Sequence, residues 1–534
     1  MFDGAFDGAL VVHRGIAMRL SRSVRLRHAD GARGRSFRSG TPAMIPGSRR
    51  PAARIVASSA ALAAALLAGC STLQPARNPP LSAGAERSAQ YRAENMARGE
   101  GNSDTLLLSL TFSGGGMRSA AASYHLLDAL RAQTVRVDGR DTTLLREVDF
   151  ISAISGGSFT ATYYALHGEG MFEDFPQRAL RRDLQALTLR GVLRPRSLAA
   201  LSSPYYGRGD YLADRLDDAL FEGRTFADMP RRRPFIRIGA TDMIEGRRVE
   251  FTQEGFDLFC SALDPVPVAR AVAASAAVPG VFSPINVADY SDTGQCPDTG
   301  TPLRYRHLID GGVADNLGIA GPLQAIGRFN GLINTLRRFG YRGIRTYAIV
   351  VLNVESNPTD PRDGQPRVPG LWRTIGAAIN GNMRLDSQEL TATLRERALA
   401  WKRQIAADPE AVRSGVFATA TPRVFVIEIG FDQVTDPALR ARLQSIPTAL
   451  RISPEDEALL ADFVRDALRD SPDYRALLQA LAEDDAAFAS GPAVSPPRAA
   501  DDDDRDAARE AYDAVDAPLP AVPPAPPAER RERP

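Results

Sequence analysis

The stretch VDFISAISGGSF, residues 148–159, decides how this chain folds. Its first seven residues form a near-continuous apolar run, as a strand buried on both faces requires. Two glycines then open a helical pattern, and Ser155 falls at the bend. A serine held at a sharp strand-to-helix turn has a strained backbone, projects its Oγ outward and tolerates only small residues two positions to either side. Ala153 and Gly157 meet that requirement, with Ala153 adding one methyl to the usual Gly-x-Ser-x-Gly pattern.

Working outward, β-branched-rich runs recur at LLLSLTF (106–112), FIRIGAT (235–241), TYAIVVLNV (346–354) and RVFVIEI (423–429), separated by longer helical patterns. Apolar strands alternating with helices indicate an α/β chain whose parallel or mixed sheet is covered on both faces. After the last run, Ser453 caps a helix with Pro454 in its first turn and apolar spacing at Leu459, Leu460, Phe463, Val464 and Leu468. Its acidic outer face points to core packing rather than membrane binding.

Two further segments bear on Ser155. SLTFSGGGMRSAAASYHLLDAL (109–130) gives a strand, three glycines and a helix, a turn whose amides and helix N-terminus can face an anion. It lacks the Gly-Lys-Ser/Thr ending of a nucleotide phosphate loop. LIDGGVADNLGI (308–319) places Asp310 before two glycines. A Ser-His-Asp hydrolase of the usual α/β order needs a histidine after the acid. The five histidines are His13, His28, His125, His167 and His307, and none follows Asp310. A carboxylate acting directly as base is the reading that scarcity favours, with His307 the one candidate base from a distant segment.

Taken in order, these segments resemble the patatin-like phospholipases: a glycine-rich oxyanion loop ending in x-Arg, a serine elbow, and a later Asp-Gly-Gly. The matching residues are Gly114, Gly115, Gly116 and Arg118; Ser155 and Gly157; and Asp310, Gly311 and Gly312. ARAVAASAAVPGVFSPI (269–285) resembles the family's small-residue helix and its Pro-x-x-Phe-x-Pro turn. The likeness spans roughly residues 104–354, and Ala153 is its clear departure. It implies a three-layer α/β/α fold with a mainly parallel sheet, a Ser155–Asp310 dyad, and an oxyanion hole of amides around Gly114, Gly115, Gly116, Met117 and Arg118. The implied chemistry is cleavage of acyl esters of phospholipids or lysophospholipids, with no cofactor. Two alternatives stay open: an acyltransferase using the same acyl-enzyme, and a non-catalytic lipid-binding lipoprotein.

The net charge of +1 and pI near 7.8 imply no global attraction to nucleic acid, and no His/Cys/Asp cluster suggests a metal. Arg49, Arg50 and Arg54 precede an apolar stretch from Ile55 to Leu67 and then LAGC (67–70), the order of a secretory signal. LAGC resembles the lipobox of bacterial lipoproteins, which makes Cys70 a lipid anchor and the cell envelope, periplasmic or outer-membrane, the expected location. Export would leave Cys260 and Cys296 as an even pair available for one disulfide. The expected organisation is leader 1–69, lipidated Cys and flexible tether 70–103, hydrolase domain with helical extension 104–487, and a disordered acidic, proline-rich tail 488–534. The run Arg231, Arg232, Arg233 reads as a solvated loop in preference to a headgroup contact.

Overall fold

The structure, a computed structural model, describes residues 78–490 apart from residues 83, 193, 292–295, 297–303, 357–365 and 367–370. The leader, Cys70 and the acidic, proline-rich tail lie outside the described residues. The strands are β1 (Leu106–Phe112), β2 (Thr134–Val137), β3 (Arg140–Thr143), β4 (Val148–Ile154), β5 (Phe235–Asp242), β6 (Arg248–Glu250), β7 (Ile285–Asp289), β8 (Arg304–Asp310), β9 (Thr346–Asn353) and β10 (Arg423–Gly430). The main sheet runs β10-β9-β1-β4-β5-β8-β7, with β6 also paired to β5. From β10 to β5 every pairing is parallel, and β6, β8 and β7 add antiparallel ladders. β2 and β3 form a separate hairpin.

The helices that matter below are α1 (Met117–Ala132), α2 (Gly156–His167), α3 (Leu184–Val192), α4 (Pro195–Leu201), α5 (Arg208–Leu216), α6 (Val268–Ser275), α7 (Gly312–Asp315), α8 (Leu371–Ala407), α9 (Pro454–Asp470) and α10 (Pro472–Ser490). Side chains alternate across a strand, so β1 serves two cores. Leu106, Leu108, Leu110 and Phe112 pack in the cluster that holds α1, α2 and α9, whereas Leu107 joins Leu394, Trp401 and Ile405 of α8 on the other face. Those two layers of helix about one sheet are the patatin-like α/β/α architecture. As the apolar spacing predicts, Ser453 Oγ accepts the Asp456 N–H at 3.0 Å, and Leu460, Phe463, Val464 and Leu468 are buried.

Residues up to Asp485 form one compact unit, and Ala486–Ser490, the described part of a second, are helical. Two expectations are corrected. The described part of the supposed tether is structured: Tyr91, Arg92 and Met96 are buried, and the Tyr91 hydroxyl accepts the Ile236 N–H at 2.9 Å on β5. Nor is the arginine run a solvated loop. Arg233 is 7 % exposed and pairs with the buried Asp149 at 3.2 Å, while Arg231 pairs with Asp264 at 3.1 Å. An arginine-rich composition concealed both, because a guanidinium with enough acceptors can be buried.

Candidate active site

β5 is the spacer that brings the two halves of the site together. On one side β4 ends with Ile154 beside Gly239; on the other, β8 ends with Asp310 beside Ala240. Ser155, one residue past β4, adopts φ 49°, a left-handed conformation rare for a non-glycine residue. The Ser275 hydroxyl at the end of α6 holds it there, accepting the Ser155 N–H at 2.8 Å and donating to the Gly239 carbonyl at 2.6 Å. The buried Ala153 methyl is accommodated in the turn.

The bent backbone aims Ser155 Oγ at Asp310, which accepts its hydrogen bond through Oδ2 at 2.9 Å. The other carboxylate oxygen accepts the Gly312 N–H at 2.8 Å, and the Asp310 backbone carbonyl accepts from Thr241 Oγ1 at 2.9 Å. Burial drives the Asp310 pKa up to about 6, with the Gly312 and Ser155 hydrogen bonds only partly opposing it. That places the carboxylate where it is ionised at neutral pH yet basic enough to take a proton.

His307 stands three residues before Asp310 on β8, hence on the opposite side of the strand. Its Nδ1 lies 2.6 Å from Asn286 Oδ1. His125 is largely withdrawn from solvent on α1, and burial lowers its pKa to about 4; His167 stacks on Tyr163. Neither hydrogen-bonds Ser155, and His13 and His28 lie outside the described residues.

The GGG loop sits directly beside the elbow. Gly115 and Gly116 have φ of +140° and +59°, and a Cβ on Gly156 would lie 1.9 Å from the Gly116 carbonyl oxygen. The loop and the elbow therefore touch backbone to backbone, which only glycine at 156 permits. A Cβ on Gly157 would lie 2.6 Å from Phe112 Cβ, and one on Gly311 2.3 Å from the Gly239 carbonyl oxygen.

The five oxyanion positions are not equivalent. The Gly114 N–H donates to the Asn316 carbonyl at 3.0 Å and the Met117 N–H to the Ala449 carbonyl at 2.8 Å. Those of Gly115 and Gly116 have no acceptor among the described residues. The Arg118 guanidinium is buried and bonds the carbonyls of Val354 and Ile446, clamping the loop from behind. The geometry thus leaves Gly115 and Gly116 as the donors open to a ligand, with Arg118 bracing them.

Three participants fall outside the candidate site residues. Ser275 is one serine in a small-residue helix. Asn316, 2 % exposed, presents an Oδ1 with no hydrogen-bond partner among the described residues, 2.5 Å from where a Cβ on Gly114 would stand. Asn316 was within the quoted Asp310 segment, and its step of six residues past the acid was the available signal. The third is the chain around Ala449, whose backbone closes over Gly116; Met383 of α8 likewise covers Gly312. Ser155 itself is 5 % exposed.

Cys260 and Cys296 are joined by a disulfide with Cα atoms 5.1 Å apart, well inside the range such a bond spans. Among the described residues there is no group of three His, Cys, Asp or Glu side chains suited to a metal ion.

A serine on a strand-to-helix elbow, facing a buried carboxylate and a glycine loop with unpaired amides, defines an acyl-transfer site of the serine-hydrolase type. The family comparison agrees: residues 110–323 match the patatin-like phospholipase family. No curated protein matches the chain. Similar solved structures include human GIVD cytosolic phospholipase A2, at 13 % identity and TM-score 0.37, covering 71 % of this chain and 60 % of that one. The same human protein in complex with methyl gamma-linolenyl fluorophosphonate gives 14 % identity and TM-score 0.37 over 75 % and 62 % of the two chains. VipD from Legionella pneumophila gives 13 % and 0.26 over 78 % and 72 %. The chain spans about 60 % of the length of the human protein.

Proposed function

We propose that the protein is a lipid acyl hydrolase that cleaves phospholipid or lysophospholipid esters through a Ser155–Asp310 dyad. The 2.9 Å hydrogen bond from Ser155 Oγ to a buried carboxylate carries the reading, because it supplies nucleophile and base in one contact without a histidine. Ser155 Oγ attacks the ester carbonyl carbon as Asp310 takes its proton. The carbonyl oxygen becomes an oxyanion received by the Gly115 and Gly116 amides, each such donor lowering the barrier by on the order of 3 kcal/mol. Collapse breaks the bond to the alcohol, which leaves with the proton from Asp310. Water then attacks the acyl-serine with Asp310 again as base, releasing the fatty acid and restoring the hydroxyl.

The match of residues 110–323 to the patatin-like phospholipase family supports the substrate class. The finer reading, a bacterial lipoprotein anchored through an acylated Cys70 in the cell envelope, is supported by the basic-apolar-LAGC order alone. Release of fatty acid from phospholipid vesicles by the purified chain, and its loss in Ser155→Ala, tests the activity; residual release by that variant would sink it.

A further inference from the structure

Residues 181–208, between the elbow helix α2 and β5, carry six arginines (Arg181, Arg182, Arg190, Arg194, Arg196 and Arg208) against the single acid Asp183, in a chain whose net charge is only +1. All six are exposed, and apart from Arg181, whose charge reaches Glu457, none has an acidic partner among the described residues. Elsewhere the arginines are mostly paired, so this face stands apart.

The same segment exposes apolar side chains that folding does not use. The inward stripe of α3 is filled by Leu184, Thr188 and Gly191, while Leu187 and Leu189 point outward at 39 % and 58 % exposure. Helix α4 buries no residue, and its Leu198 is 47 % exposed, as is Tyr205 beyond it at 50 %. Leucines and an aromatic ring interleaved with unpaired arginines form the pattern of a helix lying in a membrane interface, apolar groups entering the acyl boundary and cations meeting anionic headgroups. Among the described residues no helix is long and apolar enough to cross a bilayer.

The placement gives this face a purpose. At one end the Gln185 N–H donates to the Leu450 carbonyl, next to Ala449, whose backbone packs over Gly116. At the other, Arg208 bonds the Gly280 carbonyl at 3.3 Å and the Gly209 N–H reaches Ser283 Oγ at 2.9 Å, in the turn that follows Ser275. We propose that the 181–208 face docks the protein on an anionic lipid bilayer, seating the membrane against the loops that flank Ser155. The inference deepens the lipid hydrolase reading and rests on it for the choice of a bilayer as partner.

The test uses the full chain as Cys70→Ser, so that no acyl anchor contributes, and co-sedimentation with vesicles of phosphatidylcholine alone or mixed about two to one with phosphatidylglycerol. The parent should prefer the anionic vesicles. Arg190→Ala/Arg194→Ala/Arg196→Ala should cut that partition by roughly 100-fold, about fivefold per charge. Leu187→Ser/Leu189→Ser/Leu198→Ser should cut it by about tenfold per leucine that enters the bilayer. Parental binding by the arginine set overturns the proposal; parental binding by the leucine set alone assigns the face to a soluble polyanion and overturns it equally. Urea midpoints check folding, and Arg194→Ala/Arg196→Ala, at or beside the helix that buries nothing, serves if a triple variant unfolds. Ser155→Ala keeps this face and should bind as the parent does, so hydrolysis surviving in that variant would refute the catalytic reading while the vesicle comparison still decides this one.

Discussion

Replacing Asp310 by Asn should make the protein inactive and, at neutral pH, more stable. Asn preserves the size of the side chain, can still accept the Gly312 N–H through Oδ1, and can face Ser155 Oγ through its amide, while losing the base. The stability effect follows from burial. The Asp310 carboxyl titrates at about 6 in the folded protein against 3.8 when unperturbed. A raised carboxyl pKa means that the folded state holds the proton more tightly than the unfolded state, so the associated stability is complete below about pH 4 and is lost as pH rises through 6. The displacement is about two pH units at ~1.4 kcal/mol each, so ionised Asp310 costs on the order of 3 kcal/mol at pH 8. Urea unfolding of parent and variant from pH 4 to 8 measures this. The two curves should coincide near pH 4, and the variant should gain stability with rising pH to a plateau near that value. Other buried acids with raised pKa values, Asp149 and Glu355 at about 7, titrate in both proteins and cancel in the difference. A difference independent of pH, or a variant less stable at pH 8, would refute the assignment of Asp310 as a buried, uncompensated base.

The other expectations are briefer. The parental kcat/KM should rise with pH and level off with an apparent pKa near 6, since the base must be ionised; a flat profile from pH 5 to 8 counts against it. Ser155→Ala should lose at least ~1,000-fold in ester hydrolysis and all fluorophosphonate labelling, whereas His307→Ala, altered on the far side of β8, should stay within a few-fold of the parent in turnover. Gly156→Ala should cost at least ~100-fold in kcat, because its methyl would collide with the Gly116 carbonyl and displace the oxyanion loop; a near-parental rate would show that this contact is dispensable. Reduction of Cys260–Cys296, which closes a separation of 36 residues, should lower the unfolding free energy by up to about 4 kcal/mol in the chain-entropy picture, read as a shift in the urea midpoint with and without reductant.

How far the fold could be read depended on where each strand lies in the sheet. β1 and β4, flanked by strands and helices on every side, are apolar throughout, and their limits at 106–112 and 148–154 matched the apolar runs. β7 and β8 escaped. RYRHLID carries Arg304, Arg306 and His307 because this part of the sheet is antiparallel and near an edge, where Arg306 and Arg304 both meet the buried Asp289. A charged strand closed by its own ion pairs has no apolar signature. The same blindness hid residues 78–103, whose arginines and small residues looked like a tether. In the site, Ser155, Asp310 and the glycine loop stood out because strained turns restrict residue choice. Ser275 acts through its hydroxyl, and Asn316 and Ala449 through their backbone carbonyls, on residues at least 120 positions away along the chain, which no local pattern encodes.

That division bears on why an aspartate can work without a histidine here. In a triad, imidazole takes the serine proton near pH 7 because its own pKa lies there. A carboxylate needs its pKa raised by about two units to compete, and burial next to a cation would undo the shift. The arginines of this chain are numerous, yet burial and two neutral hydrogen bonds dominate the Asp310 titration, with no guanidinium among its causes. Arg118, beside the glycine loop, faces the carbonyls of Val354 and Ile446, where it braces the oxyanion donors. Replacing Arg118 by Met should therefore loosen the loop and lower kcat while leaving the acid limb of the pH profile near 6. A downward or upward move of that limb by a full unit would mean that the Arg118 charge reaches the dyad, and that burial alone does not set the base.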